Sequence, residues 1–258
     1  MRTASAFLLL ALAAPVVSAQ SSVRYRVERY RLDGVPWNRY DVRLPRLTSG
    51  ASPSVRAGVN TSIREIANTA YTCGESGAAP PGFLGEEVSP ERRAFLVDSL
   101  GSMLGGNARS TVTRSDARFF SFVVEGSIFC AGAHPNNTQL GYTFDLRTGK
   151  RVEDYGLDST KAEALWSEAY RDILPGLRRD SVRADQLPED QRDCAQIAPA
   201  LHSSGSEYSS TWNVALSSRG LLLWPELPHV VQGCTVRGLV PYARLRPYLS
   251  PSSPLLVR

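Results

Sequence analysis

Apolar and polar residues alternate along residues 22–47, whose sequence is SVRYRVERYRLDGVPWNRYDVRLPRL. Aliphatic and aromatic side chains there are interleaved with arginine and aspartate at a period of two, which is typical of β-strands. Asp33–Gly34 in the middle predicts the turn of a hairpin. After this segment, Ser52 as a cap and Pro53 as the first helical residue predict a helix. Its apolar stripe comprises Val55, Val59, Ile63, Ile66 and Ala70.

The pattern predicts a second helix from Ser89–Pro90 to Gly105–Gly106, and then β-strands from Ser110 to Val152. A third amphipathic helix is expected from about Ser159 to a stop near Pro175–Gly176. Residues 178–207 are polar and indicate only a short helix near Pro188.

The last part of the chain predicts a hairpin around Ser218–Arg219–Gly220 and a strand from Cys234 to Val240, followed by one or two helical turns. Strands and helices thus occur in blocks and do not alternate strictly. This arrangement predicts an α+β fold with a largely antiparallel sheet and two or three packed helices.

Residues 1–19 have the layout of a cleavable secretory signal peptide. They combine an arginine near the start, an apolar stretch, and Val17-Ser18-Ala19 before Gln20. The apolar stretch is shorter than the roughly 20 residues needed to span a bilayer, and no later segment is long enough either. We therefore expect a periplasmic or secreted protein without a membrane span. Residues 20–258 fit one α+β domain, or two interlocked subdomains at about 20–108 and 109–258.

An exported chain with four cysteines predicts two structural disulfides that brace the fold. Four cysteines allow three connectivities, and spacing alone cannot select one. Pairing Cys73 with Cys130 and Cys194 with Cys234 would join segments that follow one another in the chain. The formal net charge of +4 is scattered along the sequence and does not indicate a nucleic-acid partner.

His134 is the most conspicuous candidate for chemistry, because it interrupts an apolar run in the sequence IFCAGAHPNNT. The sequence contains no Gly-x-Ser-x-Gly motif that would supply a nucleophile for it. His134, His202 and His229 are too far apart in sequence to indicate a zinc site. No cofactor and no catalytic residue is therefore predicted. His134 can serve as a turn residue or, with Asn136 and Asn137, as part of a binding loop.

The segment FSFVVEGSIFCAGAHPNNTQLGYTFDLRTGKRV resembles a motif of a known family. In that motif a strand leads to Gly-Gly-Ala-His and a later hairpin ends in Thr-Gly-Lys. It belongs to the extracellular domain of the anti-sigma factor RsiV and to the noncatalytic region of PdaC-type peptidoglycan deacetylases. The helix from Ser52 and the closing segment with "PYARLRPYL" are similar to that family too. This chain departs from the motif where Ala131 replaces the first glycine.

The resemblance implies an α+β fold that faces the cell wall. RsiV looks like a receptor for lysozyme, so the resemblance implies a noncatalytic envelope protein that binds a wall glycan, such as a peptidoglycan fragment, or a lysozyme-like protein. The alternative is a periplasmic hydrolase that acts on peptidoglycan or an exported ester, with His134 as general base and Asp145 orienting it. Trp37, Tyr40, Trp212 and Trp224 could anchor a partner, but aromatic residues in strand patterns more often belong to the core.

Overall fold

The computed structural model describes residues 23–30, 40–70, 105–129, 136–203, 212–227 and 229–256. Within these ranges nine strands form a larger sheet of six strands and a smaller sheet of three. All neighbouring strands in them are antiparallel except for one parallel pair in the larger sheet. The predicted α+β class with a largely antiparallel sheet is confirmed. In the same ranges, no helix combines the length and the apolar character needed to cross a bilayer.

The strands of the larger sheet lie side by side in their order along the chain. They are β1 (Arg24–Arg29), β2 (Tyr40–Ser49), β3 (Gly105–Ser115), β4 (Phe119–Phe129), β5 (Asn136–Asp145) and β6 (Lys150–Arg151). β1 and β2 are antiparallel, which agrees with the predicted hairpin, whereas β2 and β3 form the parallel pair. The Asp33–Gly34 turn lies outside the described residues, as does most of the predicted second helix. Gly105 and Gly106, expected to end that helix, begin β3 instead.

Helix α1 (Pro53–Ala70) covers one face of the larger sheet. Its start agrees with the prediction, because Ser52 Oγ accepts a hydrogen bond from the Val55 N–H at 3.3 Å. Three residues of the predicted stripe are buried: Val59, Ile63 and Ile66. They join a core built from alternate residues of β4, namely Phe120, Phe122 and Val124.

The smaller sheet consists of β7 (Trp212–Leu216), β8 (Gly220–Pro225) and β9 (Gly238–Pro241), and it confirms the predicted hairpin at residues 218–220. It packs on the opposite face of the larger sheet. There Val123 of β4 is buried against Ala215 and Trp224. Gly141 of β5 lies so close to the Val214 carbonyl that a Cβ atom would have no room.

Hydroxyl groups join the two sheets to each other. Thr113, at a β-bulge in β3, donates its Oγ1 hydrogen to the Leu216 carbonyl at 2.6 Å, and the Ser218 N–H donates to the Thr113 carbonyl at 3.0 Å. The Leu216 N–H donates to Ser121 Oγ at 3.0 Å, and Ser121 is fully buried. These bonds satisfy backbone groups at the end of β7 and in the turn after it that a sheet edge would otherwise leave unpaired.

The helices that follow β6 and precede β7 in the chain differ from the prediction. The third predicted helix is present as α2 (Ala162–Tyr170), but it ends before the expected stop at Pro175. Pro175 lies instead in the first turn of α3 (Leu174–Val182). A proline in the first turn loses no helical hydrogen bond, so it can begin a helix as readily as it ends one. The polar segment expected to hold only a short helix forms the 15-residue α4 (Glu189–Ser203).

The C-terminal segment confirms the expected helical turns, which are α5 (Tyr242–Leu245) and a 3-10 turn at Arg246–Tyr248. Residues His229–Cys234 form another 3-10 turn, so the last strand begins at Gly238 and not at Cys234. The described ranges contain five α-helices, more than the two or three expected.

One of the two proposed disulfides is present. Cys194 of α4 is bonded to Cys234 with the Cα atoms 4.9 Å apart, which lies in the ordinary range for a disulfide. The bond fastens α4 to the turn that precedes β9. The proposed Cys73–Cys130 pair lies outside the described residues.

Candidate functional site

Two of the three predicted binding residues lie at one end of the larger sheet. Asn136 and Asn137 are the first two residues of β5, and His134 lies outside the described residues. Asn137 lines a cleft of about 370 Å³ on the face of the sheet that also carries β7. We call this space the sheet cleft. The structure thus places one predicted residue, Asn137, in a concave site.

Two rows of side chains cross the sheet at this end. Strand register places directly paired residues on the same face, so each row can be followed from strand to strand. The first row consists of Asp41, Asn107, Ser127 and Asn137. The second row consists of Arg29, Arg43, Arg109, Glu125 and Gln139. The smaller sheet covers the same face of the larger sheet farther along the strands, so these two rows form the uncovered part of that face.

The sheet cleft lies between the rows and the 3-10 turn at His229–Cys234. Its lining is polar: amides, hydroxyls, one carboxylate and one guanidinium surround the space. The lining residues are Asn107, Arg109, Glu125, Gly126, Ser127, Asn137, Thr138, Gln139, Gln232 and Gly233. Such a lining can donate and accept many hydrogen bonds but offers no apolar platform.

Two buried polar atoms at the cleft have no hydrogen-bond partner within the part of the chain that the structure describes. They are Gln139 Oε1 and Gln232 Oε1. A buried polar atom without a partner costs about 1–3 kcal/mol, and such atoms are rare in folded proteins. Their concentration at one cleft marks it as a place where the fold is not optimised for its own stability.

The single carboxylate of the cleft is already engaged. Arg237 forms an ion pair with Glu125 and lies over the ring of Trp224, with its guanidinium carbon 5.6 Å from the ring centroid. Burial lowers the pKa of Arg237. The indole N–H of Trp224 donates to the Gln139 carbonyl at 3.0 Å. Glu125 therefore serves as the counter-ion of Arg237, and the pair fixes the rim of the cleft beside β5.

A buried histidine anchors the segment that follows the 3-10 turn at the cleft. The His202 Nε2 atom accepts a hydrogen bond from the Val236 N–H at 3.1 Å, and Nδ1 lies 2.7 Å from the Ala198 carbonyl, to which it donates. The Tyr170 hydroxyl donates to the Val236 carbonyl at 2.6 Å. Burial lowers the pKa of His202, which agrees with a neutral ring in this position. The sequence alone gave no signal for this role, because it depends on contacts between distant segments.

A second cleft of about 620 Å³ lies between β1 and α1, and its lining includes Glu28, Arg29, Tyr30, Arg46, Asn60 and Arg64. Several of these groups already serve the fold. Asn60 accepts from the Leu47 N–H at 2.9 Å and donates to the Leu47 carbonyl at 3.1 Å. Arg46 pairs with Glu28, and burial, assisted by Glu28, raises the pKa of Tyr30 to about 12. We therefore take the sheet cleft as the better candidate.

Two observations on the described residues bear on the hydrolase alternative. The described residues contain no group of three or more side chains placed to hold a metal ion. Asp145 lies at the far end of the ten-residue strand β5 from Asn136, roughly 30 Å away at about 3.4 Å per residue. Both of its oxygens are bonded to Arg147, which helps to hold its pKa below the usual value against the opposing effect of burial. This arrangement does not favour Asp145 as the group that orients His134.

The aromatic residues considered as anchors are mostly core. Trp224 is fully buried and Tyr40 nearly so, while Trp212 is partly buried and packs against Trp166 with the two rings tilted to each other. Trp37 lies outside the described residues.

The solved structures that are similar to this chain include two DUF3298 family proteins. One is a DUF3298 family protein from Pseudomonas aeruginosa PAO1, which is 16% identical; the match covers 89% of this chain and 94% of that one, with a TM-score of 0.45. The other is a member of the DUF3298 family from Bacteroides fragilis NCTC 9343, which is 12% identical, with coverage of 90% and 95% and a TM-score of 0.49. No family model and no curated protein matches the sequence. Membership of the family of RsiV and PdaC remains a prediction from sequence motifs.

Proposed function

We propose that this chain is a noncatalytic, exported protein of the cell envelope that binds a wall glycan fragment in the sheet cleft. The observation that carries the proposal is the concentration of amide and hydroxyl side chains around one open concave space. Sugars present closely spaced hydroxyl and acetamido groups, and such ligands are recognised by polar side chains that donate and accept together.

The two unpartnered atoms of the cleft support a ligand of this kind. Small rotations of Gln139 and Gln232 would turn their oxygens toward the cleft, where ligand hydroxyl or amide groups could donate to them. Binding would then remove a cost of about 1–3 kcal/mol for each satisfied atom, which would appear as affinity.

A periplasmic or secreted location rests on the signal-like residues 1–19 and on the disulfide Cys194–Cys234. Disulfides of this structural kind persist in oxidising compartments and are rare in the cytosol. The cell wall lies in the same compartment, so a wall glycan is a ligand that the exported chain would meet.

A protein partner is less favoured by the surface. The large apolar side chains exposed within the described ranges are Tyr25, Val27, Val182 and Leu256. Only Tyr25 and Val27 lie close together, and recognition of a lysozyme-like protein would require a cluster of buried anchors. Hydrolysis of the glycan is also less favoured, since two carboxylates flank the bond in most glycosidases and the cleft supplies only Glu125.

Calorimetric titration of the mature protein with soluble peptidoglycan fragments tests the proposal. We expect saturable binding without any change in the mass of the fragments. Asn137→Ala and Gln232→Ala should each weaken binding several-fold, since each removes side-chain hydrogen bonds worth about 1 kcal/mol. Gln196→Ala is the matched control, because Gln196 is an exposed amide on α4.

Other outcomes would point elsewhere. Shortened or deacylated fragments after incubation would indicate the hydrolase. Binding of a lysozyme-like protein in place of the fragments would indicate the protein partner.

A further inference from the structure

Three arginines of the second row stand next to one another on neighbouring strands. Arg29 of β1 is paired in register with Arg43 of β2, and Arg43 is paired with Arg109 of β3. We call these three residues the arginine row. All three side chains are exposed, by between 44% and 64%. Adjacent strands are about 4.8 Å apart, so the row extends over roughly 10 Å.

Like charges directly opposite each other destabilise a sheet. In the described part of the chain, one carboxylate contacts all three members of the row. Asp41 Oδ1 lies 3.0 Å from Arg43 Nε and 3.3 Å from Arg29 Nε, and Oδ2 lies 3.5 Å from Arg109 Nη2. A hydrogen bond from Arg43 is the main cause that lowers the pKa of Asp41. Three positive charges around one negative charge leave a net charge of +2 at this place.

The contacts of Asp41 also show which ligand the row can hold. Its carboxylate is shared by three guanidinium groups, so the spacing of the row suits carboxylate oxygens. A guanidinium presents a planar fork of donors that matches a carboxylate, and the exposed side of the row leaves further donors facing solvent. Arg109 lines the sheet cleft as well, so the row continues directly into that site.

We propose that the arginine row binds the carboxylates of a wall glycan whose sugar rings lie in the sheet cleft. This inference rests on the proposed glycan-binding function and adds its selectivity: the glycan must carry acid groups along its length. Asp41 holds the row together in the free protein and competes with the incoming carboxylates.

Two soluble tetrasaccharides separate this inference from the function on which it rests. One is the neutral tetramer of N-acetylglucosamine, and the other is the peptide-free tetrasaccharide in which N-acetylglucosamine alternates with N-acetylmuramic acid and its lactyl carboxylate. At low salt the carboxylated ligand should bind about tenfold more tightly, in keeping with charge-assisted hydrogen bonds. The preference should shrink at high salt, because exposed charges are screened.

Substitutions test the residues. The double variant Arg29→Gln/Arg43→Gln, at the two members of the row that do not line the sheet cleft, should lose the preference while it keeps binding to the neutral tetramer. Asp41→Asn should raise the preference for the carboxylated ligand, an effect that a merely structural ion-pair network would not produce. Arg178→Gln, an exposed arginine on α3, is the matched control and should change nothing. A thermal unfolding curve of each variant shows that it is folded.

Each outcome supports or overturns one claim. Absence of binding to both tetrasaccharides overturns the proposed function. Equal binding of both ligands, unchanged in the double variant, overturns the arginine row alone. Displacement of the carboxylated ligand by an equal concentration of tripolyphosphate would show a general anion site and would overturn the assignment to carboxylates.

Discussion

Removal of the disulfide between Cys194 and Cys234 should destabilise the protein strongly. The bond closes a loop with a sequence separation of 40 residues, for which the loop-closure entropy of the unfolded chain corresponds to about 4 kcal/mol at 25 °C. The loop contains β7 and β8, so the unfolded chain gains freedom over a large part of the smaller sheet. We expect the free energy of unfolding of the double variant Cys194→Ser/Cys234→Ser to be lower by about this amount. Any strain that removal of the bond relieves would make the loss smaller.

Urea unfolding followed by tryptophan fluorescence measures the loss. The double variant keeps every other cysteine, so the comparison isolates this one bond, which addition of a reductant would not do. The variant should also bind wall fragments more weakly, because Cys234 ends the turn that forms a wall of the sheet cleft. A difference below about 1 kcal/mol in the free energy of unfolding would refute the reasoning, since the bond would then constrain little of the unfolded chain.

Three further predictions concern stability. Burial lowers the pKa of His202 below its ordinary 6.5, so the unfolded chain binds the proton first as the pH falls. The free energy of unfolding should therefore decrease below about pH 6.5. Urea unfolding from pH 7.5 to 5.5 should show a smaller decrease for His202→Gln than for the unchanged protein. Gly141→Ala places a methyl group against the Val214 carbonyl and should cost on the order of 3 kcal/mol, whereas Gly58→Ala, an open helical site in α1, should not destabilise. Glu168 is 4% exposed and pairs with Arg244 Nη1 at 2.9 Å. Glu168→Ala should lower the free energy of unfolding by on the order of 2 kcal/mol, a figure reduced because the arginine is partly exposed. Calorimetry would detect the lower Tm.

Elements with strong local signals could be predicted from the sequence. α1 has a serine cap, a proline at its first position and a clean apolar stripe, and all three are properties of residues close in the chain. The hairpin between β7 and β8 was marked by Ser218-Arg219-Gly220 in the same way. The Cys194–Cys234 pairing was one of three alternatives until the structure placed α4 beside the turn that precedes β9.

Elements that depend on distant contacts could not be predicted. α4 has few apolar residues and an internal Pro199, and its position is fixed by Cys234 and by the bond from Val236 to His202. The parallel pairing of β2 with β3 is invisible in either strand alone. The arginine row is a consequence of that pairing, since it brings Arg43 and Arg109 together across 66 positions of sequence. The sequence predicted Asn137 as a binding residue, but the cleft around it follows from register.

The hydroxyl bonds between the sheets have a consequence for how this protein can be divided. Thr113 and Ser121 of the larger sheet satisfy backbone groups of Leu216 and Ser218, so these groups lose their partners when either sheet is absent. We expect a fragment that ends before β7 to remain insoluble or partly unfolded, and limited proteolysis to yield no stable half. Recombination in evolution, and grafting by design, would then have to carry both sheets together as one indivisible unit.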